Sequence, residues 1–414
     1  MKKKGFTLIE LLAVIVILAI IAVITVPKIA DMISSSRMGG AEDSFYGILK
    51  AAELGYTKAL QSKTDLKGDT CDLSKASGDK VTCTNGTVIA FTGKVPEKGM
   101  LIIDSAGSTI AKEITLNGYK CYGDLSTKNP CVKASEEVAS ETLISKKVIA
   151  GDGLYVDGYD NSRHIFRGAN PNNHLTFNGE NDGYKILSVE ADGTLKIIKS
   201  TVIKNKAFDS QDRTSIVNNF CKDTRGCNVW GPTNNTITTS YSSGSAVTSS
   251  DLNIFLNGEY YNSLPDKNLV INHSYNTGFL KWDLTADITK LMEYERLLHW
   301  EGKIGLINPT DYMKASLNSE CTTIGNSRTN PVCKNQNYLA LDDDIWWWSM
   351  NGNDYWSSVA QVIGIGIAGP PGAPGAICSN LVNRADTAVR PVMHLKASIK
   401  LTGSGTNSDP YKIA

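Results

Sequence analysis

Three groups of residues in this 414-residue chain have types and spacings that could do chemistry. The first is a lone carboxylate, Glu10, set in a run of 21 residues from Phe6 to Val26 whose only other polar members are Thr7 and Thr25. A carboxylate among apolar neighbours at membrane depth costs about 2.5–3.5 kcal/mol unless it is paired, so Glu10 requires a cationic partner. The second group is the nine cysteines. Eight fall as local pairs, Cys71 with Cys83, Cys121 with Cys131, Cys221 with Cys227 and Cys321 with Cys333, and Cys378 is left over. Local pairing favours an oxidising compartment over zinc, because no Cys-x-x-Cys occurs and few histidines could complete a metal site. The third group is Asp342, Asp343 and Asp344 beside Trp346, Trp347 and Trp348, with Trp356 beyond. Indole faces stack on sugar rings and carboxylates accept their hydroxyls, so Asp342, Asp343, Asp344, Trp346, Trp348 and Trp356 form a candidate ligand surface. The competing reading puts alternate tryptophans in the core and the acids in a surface loop.

Other patterns fail on inspection. The five histidines, at 164, 174, 273, 299 and 394, form no His-Glu-x-x-His pair, and no Gly-x-Ser-x-Gly is present. Gly364 to Gly369 spells G-x-G-x-x-G, but Pro370 and Pro371 follow where a dinucleotide site needs a helix. Asn178, Glu180 and Asp182 resemble the start of a calcium loop, yet Val189 stands where the bidentate glutamate belongs. Gly369 to Gly375 keeps the collagen period for too few triplets to wind. Arg390, before Pro391, reads as a structural residue. No catalytic residues, no cofactor and no metal are therefore expected. Lys plus Arg and Asp plus Glu both number 42, which excludes a broad nucleic-acid surface.

The elements that must position these groups differ sharply along the chain. The run from Phe6 to Val26 spans roughly 30 Å as a helix, one bilayer core. Lys2, Lys3 and Lys4 precede it, so the remainder faces outward by the positive-inside rule. It ends in Ile24-Thr25-Val26-Pro27 without a small-residue cleavage site, so the helix is expected to stay in the mature protein. Past Pro27, where a kink is expected, Ile29, Met32, Ile33, Phe45, Ile48, Leu49, Ala52 and Leu60 continue at helical spacing to about Ser62, with Gly39-Gly40 as a point of bending. From residue 64 to 131, short alternating runs at 87–91, 100–104, 108–116 and 119–122 predict a small antiparallel sheet.

The amino-terminal residues resemble the type IV prepilin signature: a short basic leader, Gly5, then Phe6-Thr7-Leu8-Ile9-Glu10 opening a long hydrophobic helix. The resemblance implies that a membrane prepilin peptidase cuts between Gly5 and Phe6 and methylates the new amine. It also implies that Glu10 neutralises the Phe6 amine of a neighbouring pilin subunit in the filament, a buried pair that specifies register.

Residues 135–147 are polar enough for a connector or a short helix, and beyond this boundary segment, 136–150, the composition turns to Asn, Gly, Tyr and Trp. No Asn precedes Asn85, and all seven Trp lie at or after Trp230. Strands are expected at 153–156, 163–167, 184–189 and 194–198, with helices starting at Ser250 and running from Asp287 to His299. The blocks 166–173, 177–180, 250–262, 304–307, 355–358 and 389–392 resemble a domain that recurs in surface proteins of Gram-positive bacteria. Their Trp and Val-Arg-Pro motifs are similar to a C-type-lectin-like arrangement.

The expectation is thus an α+β protein. It has a leader (1–5), a transmembrane or filament-core helix (6–27), a pilin-like globular domain (28–135) whose helix packs on a small antiparallel sheet, a linker (136–150) and a mainly β extracellular display domain (151–414). The function expected is that of a minor type IV pilin or pseudopilin carrying a surface adhesion module. It would be a single-pass membrane protein before assembly and would then reach the cell surface, with a surface glycan or protein as ligand. The alternatives are a membrane-anchored surface enzyme acting on glycans, or a component of a DNA-uptake or secretion machine.

Overall fold

The structure, a computed structural model, describes residues 8–62, 66–210, 227–231, 249–281, 283–341, 345–353, 361–365 and 377–414, with side chains of the first helix at Lys28 and Ile29 and from Met32 onward. It divides into two compact units, Met1–Glu136 and Glu137–Ala414.

In the first unit a single helix, α1 (Leu8–Ser62), continues through Pro27 and through Gly39-Gly40. A Cβ built on either of those glycines would meet nothing within 4 Å, so neither marks a close approach. Seven strands follow: β1 (Asp69–Asp72), β2 (Lys80–Thr82), β3 (Val88–Ala90), β4 (Lys98–Ile103), β5 (Thr109–Leu116), β6 (Tyr119–Gly123) and β7 (Cys131–Lys133). Five of them form an antiparallel sheet in the order β1-β4-β5-β6-β7, and β2 pairs with β3. The apolar stripe of α1 closes this unit's core, with Ala41, Phe45, Leu49, Ala52 and Tyr56 fully buried. Gly55 is required where α1 crosses β3, since a Cβ there would lie 2.5 Å from the Val88 carbonyl oxygen. Two tyrosines tie helix to sheet: Tyr56 Oη donates to the Leu66 carbonyl (3.0 Å) and accepts from Gly68 N (2.9 Å), while Tyr119 Oη donates to the Ser34 carbonyl (3.2 Å).

The second unit opens with α2 (Ala139–Ser145), the short helix that was one of the two readings of this connector. Val138, Ala139 and Leu143 share one face and are buried in this unit, so the segment is part of the fold rather than a spacer. Next come β8 (Gly153–Asp157), β9 (Asp160–Arg167), β10 (His174–Phe177), β11 (Glu180–Val189), β12 (Leu195–Lys199), α3 (Asp251–Phe255), α4 (Tyr261–Ser263), β13 (Val270–Ile271) and β14 (His273–Asn276). They are followed by α5 (Ile288–Glu295), β15 (His299–Gly302), β16 (Ile304–Gly305), α6 (Pro309–Lys314), α7 (Ile324–Thr329) and α8 (Pro331–Asn335). The last strands are β17 (Trp347–Asn353), β18 (Gln361–Ile365), β19 (Ile377–Leu381), β20 (Val392–Leu395), β21 (Leu401–Thr402) and β22 (Tyr411–Ile413).

Among the described residues the main sheet has ten strands, with the path β13-β20-β12-β11-β10-β22-β21, and β22 runs parallel to β10. Strands β17, β18 and β19 form a separate antiparallel sheet, and β14 pairs with β15. Both expected helix starts are capped as their sequences predict: Ser250 Oγ accepts from Asn253 N (3.2 Å) and Asp287 Oδ1 from Lys290 N (2.9 Å). Their ends differ from expectation. The first passes beyond Gly258 through a π-helical turn, Leu256–Tyr260, to Ser263, and the second stops at Glu295, leaving His299 to begin a strand.

Candidate functional site

The segment with the strongest chemical signal is the start of α1. Gly5 and Phe6 lie outside the described residues, and for Glu10 the structure describes the helical backbone alone. Where side chains are described, the helix has two regimes. From Ala41 onward the stripe residues Ala41, Phe45, Ile48, Leu49, Ala52 and Tyr56 are buried on the sheet, while Leu54, off that stripe, is 56 % exposed. Before that, Ile29, Met32 and Ile33 are 54, 72 and 48 % exposed, so the fold leaves this turn of apolar surface uncovered. Among the described residues no helix is long and apolar enough to cross a membrane, and the run from Phe6 to Val26 falls where side chains are not described.

Three of the local cysteine pairs are disulfides: Cys71–Cys83, Cys121–Cys131 and Cys321–Cys333, with Cα atoms 4.3, 4.0 and 5.5 Å apart. Cys121 and Cys131 are direct cross-strand partners on β6 and β7. Cys227 is also disulfide-bonded; Cys221, its expected partner, lies outside the described residues. Cys378 is on β19, opposite Gly364 of β18.

Of the acid and tryptophan segment the structure describes Trp346, Trp347 and Trp348. Trp348 is fully buried on β17, with its Nε1 donating to the Lys206 carbonyl (2.8 Å) and its ring edge-on to Phe208. It is a core residue and no part of a ligand face. Trp347 is equally buried, beneath the guanidinium of Arg390 (4.5 Å to the ring centroid). Trp346 is half-buried against Gly364, where a Cβ would approach the indole nitrogen to 2.0 Å. Asp342, Asp343, Asp344 and Trp356 lie outside the described residues, as do Gly366 to Gly375.

Arg390 is structural. Its Nε, Nη1 and Nη2 donate to the carbonyls of Lys199 (3.0 Å), Leu339 (2.8 Å) and Ser200 (3.3 Å). Burial draws its pKa down to about 10.

The densest set of titratable groups was not foreseen. Arg163, on β9, reaches Glu190 (3.2 Å), Asp311 (3.5 Å) and Asp157 (3.7 Å). Lys196 pairs with Asp311 at 2.5 Å and Lys314 with Asp157 at 2.9 Å. Burial opposes the charge on Arg163, but the three carboxylates outweigh it and raise its pKa. Burial likewise opposes ionisation of Asp311, and Lys196 and Arg163 carry its pKa well below the carboxylate range. Beside this network, burial pushes Glu295 up to about 7 despite bonds from the Thr310 N (3.1 Å) and Oγ1 (2.5 Å). Every member contacts a counter-charge or a fixed donor, which describes a buried clamp joining β8, β9, β12 and α6 rather than a vacant reaction site. Its members lie up to 157 residues apart in sequence, so no local pattern could have announced it.

Against this geometry, the comparisons with known proteins bear on the amino terminus alone. Residues 1–26 match the family model of the prokaryotic N-terminal methylation motif. The motif supports a type IV pilin-like or pseudopilin role. It implies processing by a prepilin peptidase, assembly with other pilins, and export to a pilus or the cell surface. No curated protein and no solved structure matches the chain, so the lectin-like and surface-domain resemblances of residues 151–414 gain no support from them.

Proposed function

We propose that this pilin-like protein is a low-abundance type IV pilin or pseudopilin, without catalytic activity, that carries Glu137–Ala414 as a binding module on the cell surface. The observation that carries the reading is the continuity of the methylation motif with α1, whose Ile29, Met32 and Ile33 are left bare while the rest of its stripe closes a five-stranded sheet. Apolar surface of this kind is buried in assembly. Cleavage after Gly5 would free the Phe6 amine, and Glu10, one helical turn on, would neutralise the amine of a neighbour. Before assembly the same helix would hold the chain in the membrane as a single pass.

The low-abundance position rests on bulk, since each copy in a filament would have to place the whole of residues 137–414 outside the helical core. A ligand of the glycan or protein class is proposed for the exposed module. Immunogold labelling of filaments against the second unit tests the assignment. Sparse or tip labelling is expected, and dense decoration along whole filaments would overturn the low-abundance position. Glycan hydrolysis abolished by Asp343→Asn would overturn the non-catalytic reading.

A further inference from the structure

We propose that the first unit carries a cationic notch that receives exposed carboxylates on the helix flank of an adjacent pilin-like subunit; the inference rests on the pilin reading above. Two adjoining clefts of about 560 and 460 Å³ open where α1 meets the β5–β6 turn, and both are lined by Arg37 and Asn117. Lys94 and Glu97 line one, and Ile33 and Lys133 the other. Arg37, Lys94 and Lys133 are exposed, and among the described residues none of the three has a salt-bridge partner. Lys94 Nζ donates to the neutral Asn117 Oδ1 (2.6 Å), which places its charge without cancelling it. Among the described residues, Arg37 and Lys94 line the first cleft with the carboxylate Glu97, and Arg37 and Lys133 line the second, which has no carboxylate.

Two observations say what fits there. Ile33 belongs both to the notch and to the uncovered apolar turn of α1, so a subunit packing on Ile29, Met32 and Ile33 is brought against the notch by the same contact. The chain's own helix also carries carboxylates of the kind proposed, the exposed Asp43 and the half-buried Glu42. At roughly 100° per residue, Arg37 falls on one side of the buried stripe and Glu42 and Tyr46 on the other. Around Tyr46 gather Glu42, Asp43 and Asp124; burial and then these three charges raise its phenol pKa. Opposite charges on opposite flanks of one helix suit a head-to-tail contact with a neighbouring pilin-like subunit rather than a two-fold one. Charge complementarity at such a contact chiefly fixes register and partner choice, while the apolar turn supplies affinity.

Membranes and sheared filaments from cells producing the full chain are treated with a carbodiimide, which joins amines to touching carboxylates, and the digest is read by mass spectrometry. Peptides linking Lys94 or Lys133 to a carboxylate of another pilin-like subunit, or of a second copy, are expected. Links confined to the same chain, or to a protein of another class, overturn the proposal. In parallel, the triple variant Arg37→Glu, Lys94→Glu, Lys133→Glu is expected to enter the filament fraction at least tenfold less, with its Cys71–Cys83 and Cys121–Cys131 bridges intact as proof of folding. Undiminished incorporation overturns the notch. The same digest shows whether the unaltered chain carries an N-methylated Phe6 terminus; its absence would overturn the pilin reading itself, a failure distinct from that of the notch.

Discussion

His273 of β14 and His394 of β20 stack face to face in the second unit, with ring centroids 3.7 Å apart and planes 11° apart. Asp192 lies 3.5 Å from His273 Nε2. Burial lowers the His273 pKa, but its bond to Asp192 and the charges of Asp192 and Glu190 outweigh this and leave it raised. His394 is depressed well below the ordinary value, by burial first and then by His273, Lys196 and Arg163. The pair thus holds one proton, on His273, while an unfolded chain would hold two below about pH 6.5 and none well above it.

The sign follows for each limb. Below about pH 6.5 the unfolded chain binds the extra proton, that of His394, so the contribution to stability falls as pH falls. Above it the folded chain alone keeps the proton on His273, so the contribution falls again as pH rises through the raised His273 pKa. Urea midpoints from pH 4.5 to 8 for the wild type and His394→Phe check this: the variant is expected to lose the acid-side loss and keep the alkaline one. An unchanged acid limb would refute the assignment.

Glu295 should act in the opposite sense to His394. With a folded pKa of about 7 it holds a proton that the unfolded chain releases near pH 4.5, so its burial costs stability progressively between those values. Glu295→Gln, which keeps the shape and the capacity to accept from Thr310, is expected to be the more stable protein at pH 8 and to show a flatter pH dependence between 5 and 7.

Asp69 locks β1 to the β2–β3 hairpin. Its carboxylate accepts from the backbone nitrogens of Asn85 (2.7 Å), Thr87 (2.9 Å) and Thr70 (2.8 Å). Burial favours the protonated acid, but these bonds win and lower the pKa. Asp69→Ala would strand buried donors, at a cost of about 3 kcal/mol to the first unit. The wild-type contribution should be present above about pH 4 and vanish as pH falls through the lowered value. Hydrogen exchange at Asn85 and Thr87 reports it.

Trp348→Ala should cost about 3–5 kcal/mol through the cavity it opens beside Phe208, and any loss of ligand binding should track the loss of folded protein. Binding measured per folded molecule is the decisive quantity; a selective loss there would return Trp348 to a ligand face.

Gly5→Leu should accumulate uncut precursor in membranes, since the bond after residue 5 would no longer be accepted. Mass spectrometry of the amino-terminal peptide reads this directly.

Short-range rules made the first unit the more legible of the two. The stripe from Phe45 to Ala52 and strands β3 to β6 follow from periodicity, and three of the local cysteine pairs form bridges. Strands β1, β2 and β7 were not anticipated; two of the three have only three residues, too short for alternation to register, and Cys131 gains its strand from its cross-strand partner Cys121. In the second unit the caps at Ser250 and Asp287 were readable because they are local. The π turn past Gly258 was not, because Asn257 Nδ2 donates to the Ile304 carbonyl (2.8 Å) and the Ile304 amide to Asn257 Oδ1 (2.9 Å), holding that turn from 47 residues away. The tryptophan cluster had two readings. Burial settles Trp347 and Trp348 because Lys206 and Arg390, distant in sequence, converge on them.

The second unit begins beside its own last strands: Ala139 N donates to the Ile399 carbonyl (2.8 Å), Lys146 Nζ lies over the Tyr411 ring, and β22 is inserted parallel to β10. Traction transmitted up the chain from Glu137 therefore meets a stapled junction, where α2 and the segment from Ile399 to Tyr411 share the load. A pull entering the second unit at Glu137 would load that seam first, so the unit's start and its last strands would have to part together before α2 could peel away.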